Sequence, residues 1–302
     1  MKSYFLGANS KDGFFSLYDT FPQDRNAFLH IIKGGPGTGK SSFLRAIAAA
    51  AEQQGLEVHR VLCSGDPDSL DGIYLPGRKL AWMDGTAPHV QEPALFGLTG
   101  DYIDLTPFFS GCFEEQEKAA LRELQLRYRN KYREAYGLLN ACAALGGGKT
   151  KPVPDQKTLR ELASTHAWES EGTLTSRFLH AITCRGIVQA DPLEGYQTEP
   201  VSAEQIAAFC RCAPLSDVEM ILCPSPLDPK IPEGLLIPNR RLAFLTQPEP
   251  DRRAEALLEM ACGILQDAKS LHDELEAVYR PHMDFAGLSA YTEQTISQLF
   301  PV

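Results

Sequence analysis

Between Phe28 and Ala51 the chain changes its hydrophobic period. Phe28-Leu29-His30-Ile31-Ile32 is an apolar run of strand length, whereas Phe43, Ile47 and Ala51 recur at helical spacing up to a stop near Gly55. Leu56–Cys63 alternates and is β-branched, which predicts a strand. After a loop with several Asp residues, Arg78–Gly85 predicts another, with Leu80–Met83 apolar. Upstream, Tyr4–Ala8 and Phe14–Tyr18 are short apolar stretches separated by the turn Lys11-Asp12-Gly13. Strand, helix, strand, loop and strand in this order predict an α/β fold with a parallel sheet covered by helices. Glu114–Leu145 reads as one or two long helices, and Gly146-Gly147-Gly148 ends them ahead of a polar linker, Lys149–Gln156, with Pro152 and Pro154.

The pattern then recurs. Val218-Glu219-Met220-Ile221-Leu222-Cys223 echoes Val58–Cys63, and Leu236–Leu245 echoes Tyr74–Met83. Arg177-Phe178-Leu179-His180-Ala181 echoes Tyr4–Ala8, with Gly186 standing where Gly13 does. Three matched blocks in one order predict an internal duplication. Only 37 positions separate Gly186 from Cys223, against 50 between Gly13 and Cys63. The shortfall is assigned to the first copy's apolar strand and the loop that follows it, replaced here by Pro200–Phe209. Ser202, with Gln205 three residues on, reads as a helix start.

That loop carries the chemistry. Gly34 to Ser42 reads GGPGTGKSS, between a predicted strand and a predicted helix. Gly35, Pro36, Gly37, Thr38, Gly39, Lys40, Ser41 and Ser42 are the residues expected to hold phosphate. Glycines let backbone N–H groups curl around anionic oxygens, the helix N-terminus adds its dipole, Lys40 reaches the β- and γ-phosphates, and the Ser41 hydroxyl ligates Mg²⁺. A second, looser match, Ala143–Thr150 (AALGGGKT), follows a charged helical stretch instead of a strand and reads as linker.

Asp84 ends an apolar strand, where a carboxylate would share Mg²⁺ with Ser41; the plainer alternative is an Asp-Gly turn. In the second copy Thr246 replaces it, and Gly85–His89 becomes Gln247–Asp251, so the carboxylate disappears together with the loop. Within Asp66–Asp71 one carboxylate, taken to be Asp66, would position water or an acceptor hydroxyl, against the reading of a solvated acidic turn. Thr86 and His89 follow Asp84 and stand as further polar groups near the γ-phosphate, His89 more naturally as a structural side chain. The arginines and Lys131 of the long helix read as a solvated face before they read as a lid.

Composition narrows the classes. Hydrophobic residues make up 43% and charged residues 23%, the balance of a globular protein. The formal net charge of −10 argues against nucleic acid as a partner, and no apolar run has the length of a membrane span. The N-terminus lacks the apolar core of a signal peptide, and the eight cysteines are scattered, Cys210-Arg211-Cys212 being the one close pair. A cytoplasmic protein with reduced thiols is expected.

On GGPGTGKSS at Gly34–Ser42, CSGDPDSLDG at Cys63–Gly72, DGTAPH at Asp84–His89 and HDELEAVYRPHMDF at His272–Phe285, the chain resembles a bacterial ATPase family with two tandem P-loop halves. The resemblance implies a P-loop fold and ATP binding; this chain departs from it in lacking the second loop. The expectation is therefore a P-loop NTPase domain over 1–148, three-layered α/β/α with a mainly parallel sheet and a helical segment at 114–145. A connection over 149–174 and a degenerate α/β copy over 175–302 would follow. Three functions fit: an Mg²⁺-dependent ATPase with one site, a small-molecule kinase, or a non-catalytic ATP sensor whose second half binds a protein partner.

Overall fold

The computed structural model describes residues 2–24, 26–146, 174–190, 193–212, 219–247 and 251–301. Two α/β halves with mixed sheets make up these residues. The first sheet has the order β1 (Lys2–Phe5), β5 (His59–Leu62), β6 (Leu70–Leu75), β7 (Leu80–Asp84), β4 (Phe28–Lys33) and β8 (Gly100–Asp104). A hairpin of β2 (Gly7–Ser10) and β3 (Gly13–Ser16) lies outside it. Five strands point the same way; β6 is antiparallel to both β5 and β7. The sheet is thus mixed, because Leu70–Leu75, expected to lie in a loop, returns as a strand next to β5.

Helix α1 (Lys40–Gln53) buries Phe43, Leu44, Ile47, Ala48 and Ala51, the stripe its spacing predicts, against Ile32, Ile73 and Trp82 of the sheet. The opposite sheet face, with Tyr4, Val61, Ala81 and Met83, is covered by Tyr18 and Phe21 from the segment after β3. Helices therefore lie on one face of this core among the described residues, where layers on both were expected. The other helix on that face comes from the far end of the chain. Helix α5 (Phe285–Leu299) sets Leu288, Tyr291 and Ile296 against the α1 cluster. The final residues thus belong to the first core, and the expected boundary at 175–302 does not hold for them.

Among the described residues the second half repeats five of the six strands of the first sheet, β8 having no counterpart. Its sheet has the order β12 (Gln197–Pro200), β15 (Leu242–Leu245), β14 (Pro232–Ile237), β13 (Met220–Pro224) and β9 (Leu174–Ser176), and a second hairpin is made by β10 (His180–Thr183) and β11 (Gly186–Gln189). The senses match as well: β12 is parallel to β15 as β4 is to β7, and β14 runs against both of its neighbours as β6 does. The turns agree down to single bonds. Ser10 Oγ donates to Gly13 O and Thr183 Oγ1 to Gly186 O, and Lys79 (φ 53°) and Arg241 (φ 51°) take the same left-handed conformation before β7 and β15. Helix α3 (Ala203–Cys212) occupies the place of α1 and carries the Cys210–Cys212 segment.

One expectation about the copy is corrected here. The strand feeding the loop is kept, as β12; only the loop is gone. Twelve positions separate the start of β4 at Phe28 from the start of α1 at Lys40, and six separate Gln197 from Ala203. The strand lacks an apolar run because it is an edge: among the described residues β12 pairs with β15 alone, and its side chains are mostly exposed.

Equivalent elements meet where the halves join. Phe5 and Phe178 exchange backbone hydrogen bonds of 3.3 and 2.9 Å. Lys11, on one hairpin turn, pairs with Asp228 of the other half at 3.0 Å, and Arg185, on the matching turn, pairs with Asp68. The long helices α2 (Glu115–Leu145) and α4 (Arg252–Tyr279) pack antiparallel, Leu124 near Leu271 and Leu275, and Leu139 near Ala261 and Leu265. Such reciprocal contacts are those of a two-fold pair of subunits joined in one chain. Gly146 caps α2; residues 147–150 of the second glycine-rich match, and the connection at 149–173, lie outside the described residues. No described helix is long and apolar enough to cross a membrane.

Asn9 sits at this junction, buried, donating to Ser64 O at 3.1 Å in its own half and to Ile182 O at 2.8 Å in the other. Replacing it with Ala leaves two buried carbonyls without that donor. Asn9→Ala is expected to lower unfolding free energy by roughly 2–4 kcal/mol in denaturant titrations; a change under about 0.5 kcal/mol would show that the junction does not depend on it.

Candidate functional site

The Gly34–Gly39 loop leaves the end of β4, between β7 and the edge strand β8, and runs directly into α1. Gly37 (φ 69°) and Gly39 (φ 87°) occupy left-handed backbone that other residues rarely adopt, and the Thr38 hydroxyl ties the turn by donating to Gly35 O at 2.8 Å. Gly39 is the N-cap of α1, and no side chain caps that helix. At the equivalent helix of the second half a capping box is present. The Gln205 amide accepts from Ser202 N, and Ser202 Oγ accepts from Gln205 N at 3.2 Å. That capping box was readable in the sequence, and it satisfies with side chains what the first half leaves to its loop.

Lys40 is folded back on the loop. Its ammonium donates to Gly34 O at 2.9 Å and Gly35 O at 2.8 Å and lies 3.7 Å from Asp84 Oδ2. Strand β7, parallel to β4 with Asp84 opposite Ile32, brings this carboxylate to the lysine. Asp84 Oδ1 accepts from Thr86 N and Thr86 Oγ1, as the turn reading expects, while Oδ2 faces Lys40. The Ser41 hydroxyl accepts from Leu70 N at 2.9 Å and from Arg45 Nη2 at 2.8 Å.

Asp66 is not part of this group. Its oxygens accept from Asp68 N and Ser69 Oγ within its own turn, and Lys269 of α4 lies 3.4 Å away. The carboxylate that does join Asp84 is Asp71. It is buried on β6, accepts from the Tyr18 hydroxyl at 2.5 Å and lies 3.3 Å from His89 Nε2. Asp71, Asp84 and His89 bring potential ligand atoms within 4.8 Å of one another. Burial raises the Asp71 carboxyl above its ordinary value, against the lowering pull of His89 and Tyr18, and burial holds the Tyr18 hydroxyl far above its own. The signal for Asp71 was an acid within a run of otherwise buried residues, Leu70 to Ile73. For Mg²⁺ the donors fit in kind, since carboxylates and a hydroxyl are the hard oxygens it takes. Ser41 has first to release Arg45.

Sequence reasoning also missed a contribution from the second half. Near its C-terminal end α4 lies on the loop: Glu276 Oε1 accepts from Gly37 N at 3.2 Å, and His272 Nδ1 lies 3.7 Å from the same carboxylate. Burial lowers the His272 imidazole, and Lys40 adds to the lowering. A contact spanning 239 positions leaves no local trace in the sequence. On α2, Arg127 pairs with Glu123 and Lys131 with Glu134 and Asp267, as a solvated face would.

Comparisons with known proteins returned no matching family model, no matching curated protein and no matching solved structure. The reading of this site rests on its own geometry and on the sequence.

The second half keeps an acid where Asp71 stands. Glu233 precedes Gly234 as Asp71 precedes Gly72, with His180 Nε2 at 3.5 Å in place of His89. Burial pushes the Glu233 carboxyl up to about 7, from an ordinary 4.5, and burial lowers the His180 imidazole. Between those two values the folded protein holds a proton that the unfolded chain has released, so stability falls as pH rises through this window. Glu233→Gln is expected to remove that part of the decline, matching wild type near pH 4.5 and exceeding it by about 2–3 kcal/mol at pH 8. Parallel pH profiles for the two proteins in denaturant titrations would contradict this.

Proposed function

We infer that the chain binds a nucleoside triphosphate, ATP, with Mg²⁺ at the Gly34–Ser42 loop and hydrolyses it there, at a single site. The observation that carries this reading is the contrast between equivalent helices. Helix α3 has its Gln205 amide capped by the Ser202 hydroxyl in a capping box, whereas α1 begins without a side-chain cap behind a glycine-rich turn, with a lysine beside a carboxylate. An uncapped helix N-terminus behind such a turn is suited to an anion.

In this reading Lys40 exchanges the Gly34 and Gly35 carbonyls for the β- and γ-phosphate oxygens, and moves as charge develops on the transferring group. Ser41 and Asp84 would hold Mg²⁺, which neutralises phosphate charge. The turn bonds from Thr86 hold one Asp84 oxygen, so the other stays directed at Lys40. The choice of ATP follows the family resemblance. Asp66 is not retained as the water-positioning group, because its oxygens are taken up by its own turn and by Lys269. The second half serves as scaffold, with its loop lost and Thr246 in the place of Asp84.

Phosphate release from ATP with Mg²⁺ tests the reading. Lys40→Ala is expected to lower the rate about 100-fold or more. Asp84→Asn is expected to lose roughly 10- to 100-fold and to need more Mg²⁺ for half-maximal rate. Wild-type rates in Lys40→Ala would overturn the site. Release only with an added acceptor would instead make the chain a kinase, and tight binding without turnover a sensor.

A further inference from the structure

Helix α4 starts against the second half, with Ala261 and Leu265 packed on Ile182 and Cys184, and finishes on the glycine-rich loop of the first. Leu271, Leu275 and Val278 seat it on Leu121 and Leu124 of α2. Lys269, His272, Glu276 and Tyr279 recur at three- and four-residue spacing and share a face. Lys269 lies 3.4 Å from Asp66, and Arg280 Nη2 lies 3.5 Å from Glu276 Oε2.

Glu276 reaches furthest. Its carboxylate accepts the Gly37 N–H at 3.2 Å, and the helix comes so close that a Cβ on Gly37 would stand 3.3 Å from both the Cβ and the backbone oxygen of Glu276. Gly35 is crowded less tightly by Tyr279. A carboxylate on an amide of this loop is an anion in the place of an anion. A phosphate bound at the same N–H would meet its negative charge at hydrogen-bond range.

Resting on the reading of Gly34–Ser42 as the triphosphate site, we propose that Glu276 is an internal occupant of the loop that nucleotide must displace. The second half is thereby coupled to nucleotide through α4. Linkage makes the coupling reciprocal: whatever holds Glu276 on Gly37 weakens nucleotide binding, and nucleotide loosens the end of α4 by the same free energy.

The test is calorimetric titration of Mg-ATP into full-length wild type, Glu276→Gln and Glu276→Ala. The amide keeps the size and an acceptor oxygen and removes the charge. Ala is expected to bind about three- to tenfold tighter than wild type, and Gln tighter by a smaller factor. Hydrogen exchange of residues 273–280 is expected to speed up when Mg-ATP is added to wild type. Equal or weaker binding in both variants, or slower exchange at 273–280 with nucleotide, overturns the proposal while leaving the loop as the site. Absence of binding in all three proteins removes the reading of the loop and this proposal together.

Discussion

A helix that starts at the end of a sheet strand leaves its first backbone amides without partners, and they must be satisfied from outside the helix. This chain meets the requirement twice, at equivalent places, in two ways. At Ala203 two residues join strand to helix, and Ser202 and Gln205 form a capping box that satisfies the Gln205 and Ser202 amides. At Lys40 six residues intervene, Gly37 and Gly39 bend them into left-handed backbone, and no side chain caps the helix. Three features of the candidate site follow from this difference. Lys40 has a loop to fold over, Asp84 has a lysine to face, and Glu276 has an amide to reach.

The rest of the second copy is conserved in form because the junction needs it. Each hairpin turn holds the β-loop of the other half, through Lys11 with Asp228 and Arg185 with Asp68, and each long helix is half of the α2–α4 pair. Loss of the loop at β12 touches none of these contacts. The acids on the two antiparallel strands follow the same logic. Asp71 and Glu233 both lie next to a glycine on the antiparallel strand and both have a histidine near, although His89 follows β7 and His180 lies on β10. Asp84, whose place is taken by Thr246 in the second half, has its Oδ2 3.7 Å from Lys40.

What the sequence reveals here is whatever depends on local period. The strand–loop–helix passage from Phe28 to Ala51, the Ser202–Gln205 cap and the repeat of the Tyr74–Met83 block are short-range patterns, and each has its counterpart in the structure. Strand direction is not local: Leu70–Leu75 is apolar enough to be buried, but only its pairing with β5 and β7 makes it antiparallel. β12 escaped because an edge strand can be polar, as Gln197-Thr198-Glu199-Pro200 is. In the sequence Asp71 belongs to the same acidic stretch as Asp66, and its burial on β6 sets it apart. The contacts of Glu276 with Gly37 and of Leu288 with the α1 core join residues more than 200 positions apart, where no spacing rule operates.

If the Gly34–Ser42 loop is the nucleotide site, one copy keeps a ligand site at the helix that the other copy caps with side chains. Stoichiometry tests this most directly, by equilibrium titration of the full chain with Mg-ATP at protein concentrations well above the dissociation constant. The account predicts one nucleotide bound per chain. Two per chain would place a second site in the half whose helix is capped, and none would mean that the open N-terminus of α1 is not a nucleotide site; either result contradicts it.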